Sequence, residues 1–145
     1  LYPNHPVLFN VLTGDLLEVP FQYSKKGRLH HDIEYNPRTE TFLAIVNYET
    51  AVPYLQVTRK GISDSLVEID LQGRVVWTWH LLDHLRPSVC RRTEDSRIPD
   101  CFHTNSIYWD LDTDSVYLLP RNVNSFLKLN KTSGQIVWVV GAMGT

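Results

Sequence analysis

Ser106-Ile107-Tyr108-Trp109-Asp110-Leu111-Asp112-Thr113-Asp114-Ser115-Val116-Tyr117-Leu118-Leu119 is the stretch that decides the fold. Apolar and aromatic residues flank a cluster of aspartates, the pattern of a strand, a polar turn and a second strand. Asp32-Ile33-Glu34-Tyr35-Asn36-Pro37-Arg38-Thr39-Glu40-Thr41-Phe42-Leu43-Ala44-Ile45 follows the same plan and aligns with it without a gap. The downstream halves align too. Ser65-Leu66-Val67-Glu68-Ile69-Asp70-Leu71-Gln72-Gly73-Arg74-Val75-Val76-Trp77 matches Ser125-Phe126-Leu127-Lys128-Leu129-Asn130-Lys131-Thr132-Ser133-Gly134-Gln135-Ile136-Val137-Trp138, with one extra turn residue. Gly73 and Gly134 stand where the turn makes a positive φ easiest. Trp77 and Trp138 end the fourth strands on equivalent faces. The fold class is all-β, with four short antiparallel strands per unit.

Such a unit has open edges and cannot bury both faces alone, and radial repetition into a β-propeller solves that problem. The expected division is a partial propeller over 1–145, about two and a half blades. Residues 1–27 end a preceding blade, with the Thr13-Gly14-Asp15 turn corresponding to Ser133-Gly134-Gln135. Residues 28–80 form a blade with an insertion near 48–62, a protruding loop or extra hairpin. Residues 81–101 connect the blades, and 102–145 form the next blade. Leu81-Leu82-Asp83-His84-Leu85 has room for one helical turn. Closed propellers typically have about 4–8 blades. The expectation is therefore a fragment of a longer propeller, or one completed by other copies.

His103 and Arg121 sit at the head and tail of one hairpin and should meet at one end of its sheet. Imidazole beside guanidinium suits an oxyanion such as sulfate or phosphate. Arginine offers a fixed fork of donors, and histidine a proton that can be given or withheld. Leu29-His30-His31-Asp32-Ile33 opens the earlier hairpin in similar fashion. Strand alternation lets only one of His30 and His31 face a central channel. A structural role for Arg121, as an ion pair with Asp100 or Asp110, is the plainer alternative. His30, His31, Asp32 and His103 are metal-ligand types, but no ligand spacing such as His-x-x-x-His joins them, so no metal is expected. His80 and His84 are expected to be solvated, and Trp77, Trp79, Trp109 and Trp138 to pack between blades.

The chain of 145 residues carries a net charge of −2 and no basic run beyond Lys25-Lys26 and Arg91-Arg92. This excludes an electrostatic footprint for nucleic acid. No apolar stretch approaches the roughly 20 residues of a membrane span. The opening Leu-Tyr-Pro shows no signal-peptide pattern, and the lack of an initiating Met suggests a preceding region. Cys90 and Cys101 bracket a polar loop that includes Arg91, Arg92, Glu94 and Asp95. The even count and easy closure favour a disulfide and an oxidising, extracytoplasmic compartment. Asn130-Lys131-Thr132 is a glycosylation sequon.

Taken together, the His-His-Asp and Phe-His-Thr-Asn-Ser-Ile strand starts, the arginine after the next strand and the Ser-Gly-Gln-Ile-Val-Trp ending resemble the arylsulfotransferase (aryl sulfate sulfotransferase) family. The resemblance runs from about Arg28 to Gly141. It implies a six-bladed propeller, periplasmic or secreted, with its site at the mouth of the central channel. It implies sulfuryl transfer from a phenolic sulfate ester to a phenol, through a transiently sulfated histidine and without a nucleotide sulfate donor or other cofactor. His31, His103 and Arg121 match the catalytic anion-holding residues, with His30 and Asn105 as substrate-binding neighbours. Asp32 is placed to orient an imidazole. The family's sulfated histidine lies in a later blade. The rival expectation is a non-catalytic propeller-like subunit that self-assembles through blade edges.

Overall fold

Alternating apolar and polar side chains, interrupted by Asp, Asn and Gly turns, carry most of the chain into antiparallel strands. The computed structural model describes residues 5–21, 23, 27–54, 56–87, 90 and 98–142. A short pair, β1 (Val7–Phe9) and β2 (Leu16–Glu18), precedes two four-stranded antiparallel meanders. The first is β3 (Arg28–Asn36), β4 (Thr41–Tyr54), β5 (Val57–Asp70) and β6 (Val75–His80). The second is β7 (Thr104–Asp110), β8 (Ser115–Pro120), β9 (Ser125–Asn130) and β10 (Gln135–Gly141). One helical turn, α1 (Leu81–His84), leaves β6. The polar loop with Arg91, Arg92, Glu94 and Asp95 lies outside the described residues, as do Lys25 and Lys26.

Residues that align in the sequence take matching registers. Phe42 faces Ile69 and Ala44 faces Val67 in the first meander; Val116 faces Leu129 and Leu118 faces Leu127 in the second. The turns are fixed by side-chain acceptors. Asp70 Oδ1 accepts the Gln72 and Arg74 N–H groups, each at 2.9 Å. Asn130 Oδ1, in the sequon, accepts the Ser133 N–H at 2.8 Å. Gly73 must be glycine, since its φ is +78° and a Cβ there would lie 1.8 Å from the Pro20 carbonyl oxygen.

The residues near 48–62 lengthen β4 and β5, which pair from Thr41↔Asp70 to Tyr54↔Val57. This extension anchors the segment that leads to the second meander. Ile62 N–H donates to Pro99 O at 2.7 Å, and Cys101 N–H donates to Ile62 O at 3.0 Å. Gly61 permits the approach, because a Cβ there would meet Val52 at 2.3 Å and Pro99 O at 2.7 Å. Cys90 and Cys101 are disulfide-bonded, and both are fully buried.

Two apolar clusters fill the layers. Phe42, Val46, Val67 and Ile69 on one face of the first meander pack with Val19, Leu8 and Phe21 from the β1–β2 region. Leu43, Ile45 and Leu66 on the opposite face join Trp109, Val116, Leu118, Leu127 and Leu129 of the second meander. Trp79 crosses between the sheets, its Nε1–H donating to Gly134 O at 2.9 Å. Lys131 Nζ bonds Glu68 at 2.7 Å and lies 4.9 Å from the ring centres of both Trp77 and Trp109. Trp138 differs from the other tryptophans. It stands on the far face of the second meander beside Phe126 and Tyr117, 36% exposed. Both Trp77 and Trp138 lie within their strands rather than at the ends.

Candidate functional site

The site forms where both meanders lose their regularity at the same edge. β3 and β4 change register between Leu29 and Ile33, and β7 and β8 between Thr104 and Ile107. His31, inside the first shift, has φ +56°, and His103, immediately before β7, has φ +49°, in the left-handed region that residues with a Cβ enter reluctantly. The strict alternation expected for His30 and His31 therefore fails. A bulge rotates successive side chains out of the two-residue period. Both rings join one cluster, their centroids 4.0 Å apart, with His103 at 4.9 Å from His30 and 5.0 Å from His31.

The nitrogens converge as well as the rings. His31 Nε2 and His103 Nε2 are 3.1 Å apart. One ligand nitrogen from each of the three histidines lies within 4.8 Å of the others, a grouping that linear spacing did not reveal. His103 Nδ1 bonds Asp100 Oδ2 at 2.7 Å, and His30 Nδ1 meets the Asn47 amide at 3.3 Å. His30 Nε2 is buried without a hydrogen-bond partner.

The carboxylate that orients an imidazole is Asp100, not Asp32. Asp32 instead accepts the Ile33 N–H through Oδ1 and the Ile107 N–H through Oδ2, each at 3.0 Å. Asp64, buried beneath the site, accepts the Thr104 N–H at 2.7 Å. Burial pushes the Asp64 carboxyl up to about 6.

Arg121 opens a short 3-10 turn after β8, and its N–H donates to His103 O at 3.3 Å. The hairpin thus returns Arg121 to His103. Its guanidinium forms no ion pair with Asp100 or Asp110 among the described residues. Asp100 is engaged by His103, and Asp110 by its own turn. Arg121 and Asn105 line one cavity of about 330 Å³ with Leu119, Pro120, Asn124 and Phe126. His30, His31 and Asp32 line another of about 310 Å³ with His5.

The electrostatics favour neutral His30 and His31 beside one fixed cation. Burial, then repulsion from His31 and His103, holds His30 down to about 4, with Arg121 adding to the effect and Asp100 opposing it. His31 is lowered by burial, His103 and Arg121, against Asp100 and Asp32. At neutral pH these two rings offer N–H groups or lone pairs rather than charge, while Arg121 stays charged. Two other expected histidines lie apart from this cluster. His80 Nδ1 bonds Ser65 at 2.6 Å, and His84 stacks on Trp79 at 4.4 Å, so both are packed rather than merely solvated. No helix among the described residues is long and apolar enough to cross a membrane.

The family model described as Arylsulfotransferase (ASST) matches residues 12–145 of the chain. Among curated proteins, none matches it.

Proposed function

Because the chain belongs to the arylsulfotransferase family, we propose that His31, His103 and Arg121 hold a sulfuryl group in transit from a phenolic sulfate ester to a phenol. The observation that carries this reading is the convergence of His31 and His103, their Nε2 atoms 3.1 Å apart, with the Arg121 main-chain N–H bonded back to the His103 carbonyl. The donor's phenolic O–S bond breaks, and the phenolate leaves with a proton. The sulfuryl group passes to a further histidine in a later blade, forming an N–S bond. A phenol acceptor then breaks that bond, forms a new O–S bond and gives up its proton. Negative charge spreads over the sulfuryl oxygens throughout. Arg121 neutralises one oxygen by charge-assisted hydrogen bonds. His31 donates to another oxygen, and the entering anion raises the proton affinity of the imidazoles, readying one to protonate the leaving phenolate. Asp100 holds the tautomer of His103 that presents Nε2 to the substrate. Asn105 and His30 border the bound group.

We read the two meanders as blades of a propeller. Leu43, Ile45 and Leu66 of the first are fully buried by the second. The aligned Leu119 and Phe126 of the second, with Trp138, are each exposed by 36–41%. A sheet of the same kind covers that face in the assembled fold. The disulfide is consistent with work outside the cytoplasm.

The test is release of 4-nitrophenolate from 4-nitrophenyl sulfate with a phenol acceptor, using a protein that carries this chain together with the blade bearing the further histidine. Arg121→Ala should lower turnover by about 10²–10³ while leaving the melting temperature unchanged. Unaltered turnover in that variant would remove Arg121 from the site.

A further inference from the structure

We propose that His30, His31 and His103 form a binding site for one divalent transition-metal ion of the zinc class. Their nitrogens lie within 4.8 Å of one another, drawn from β3 and from the segment that enters β7. Zinc bonds imidazole nitrogen at about 2.0–2.1 Å, so two ligands of a tetrahedral ion stand about 3.4 Å apart. The 3.1 Å between His31 Nε2 and His103 Nε2 is close to that spacing. A small rotation of the His30 ring brings in the third nitrogen.

A second observation points the same way. A single shared proton satisfies the His31–His103 contact, but it leaves the buried His30 Nε2 with no partner. An ion satisfies all three nitrogens at once. The outer contacts fit such a centre. Asp100 grips His103 Nδ1 at 2.7 Å, the carboxylate–histidine arrangement that fixes a ligand's tautomer and strengthens its basicity. The Asn47 amide nitrogen stands 3.3 Å from His30 Nδ1; binding an ion at His30 Nε2 requires that amide to turn, so that its oxygen accepts from Nδ1–H and Nε2 keeps its lone pair. His5, across the neighbouring cavity, is bonded to Glu18 at 3.2 Å and is not among the ligands. His30 and His31 line that cavity, which gives water or an oxyanion access to their side of the site. Imidazole ligands select zinc, copper or nickel over magnesium or calcium.

The metal site uses the same rings as the proposed sulfuryl site, so an ion there competes with the sulfuryl group; it is measured without substrate, and its failure leaves that reading standing. The experiment titrates ZnCl2 into chelator-treated full chain by calorimetry, with MgCl2 as control. One zinc per chain is expected, and no magnesium. His31→Gly tolerates the left-handed backbone and leaves the core untouched, so it tests the site without threatening the fold. It should weaken zinc binding by about tenfold or more, and Asp100→Asn by about 10–100-fold. His84→Ala should leave binding unchanged. Cobalt should give the intense visible bands of a tetrahedral centre, lost in His31→Gly. Absence of zinc binding, or binding untouched by His31→Gly, or equal loss in His84→Ala, would overturn the proposal.

Discussion

Asp64→Asn should stabilise the protein at alkaline pH and leave it nearly unchanged at acid pH. Asp64 is fully buried, and burial raises its carboxyl from 3.8 to about 6 in the folded chain. The folded state therefore binds a proton that the unfolded state releases between those two values. Stability from this group is fully present below 3.8 and is lost as pH rises through about 6. At roughly 1.4 kcal/mol per pH unit, the difference amounts to about 3 kcal/mol. Asparagine keeps an oxygen for the Thr104 N–H, which Asp64 now accepts at 2.7 Å, and cannot ionise. His30 acts in the opposite sense. Its folded value lies near 4, below the ordinary 6.5, so its contribution is present above 6.5 and lost as pH falls towards 4. The wild-type curve alone therefore mixes two trends. The informative quantity is the difference between variant and wild type, in which His30 cancels. Urea unfolding at pH 4 and pH 8 supplies it. A gain of about 3 kcal/mol at pH 8 that shrinks towards zero at pH 4 is expected. An equal difference at both values would refute the reasoning, because an ionised Asp64 would then carry no penalty.

The imidazole signals of His30 in a pH titration by NMR, with chelator present, should turn over near 4, and in Arg121→Ala the midpoint should rise, since the guanidinium disfavours protonation. No movement would place Arg121 away from the cluster. Lys131→Ala should destabilise the fold by about 3 kcal/mol in urea unfolding, because it strands Glu68, whose side chain is 7% exposed. Gly73→Ala should lower stability by more than about 1 kcal/mol by the same measurement, through the positive φ and the clash with Pro20.

Much of the sheet architecture was legible because it follows period. Phe42 with Val67 and Ile69, and Val116 with Leu127 and Leu129, alternate inwards as the aligned segments require. The loop from His103 to Arg121 was legible because a hairpin must return to its start. The directions of His30, His31 and Asp32 were not. A two-residue period assigns the two histidines to opposite faces, and no turn residue announces that β3 departs from it there. The role of Asp100 was equally hidden. It depends on a parallel bridge to Ile62, in a strand extension remote in sequence. Asp64 gave no signal either, since an acid within a strand ordinarily faces water, whereas this one is covered by the segment entering β7.

The acids of this edge explain how the irregular backbone persists. A bulge frees backbone donors that a regular ladder would pair, and buried donors need acceptors. The β7 register change runs from Thr104 to Ile107, and the N–H groups of those two residues go to Asp64 and Asp32. Asp64 lies in β5 and Asp32 in β3, so both acceptors come from the neighbouring sheet. The same bonds therefore satisfy the bulge and tie the two sheets together beneath the histidines. A left-handed residue costs on the order of 1–3 kcal/mol, and His31 and His103 each adopt that conformation. Charge-assisted bonds accepted by Asp32 and Asp100 are of the size that offsets it. Three carboxylates thus hold three imidazoles in place while only Asp100 touches one, which leaves the other ring nitrogens unclaimed by acids.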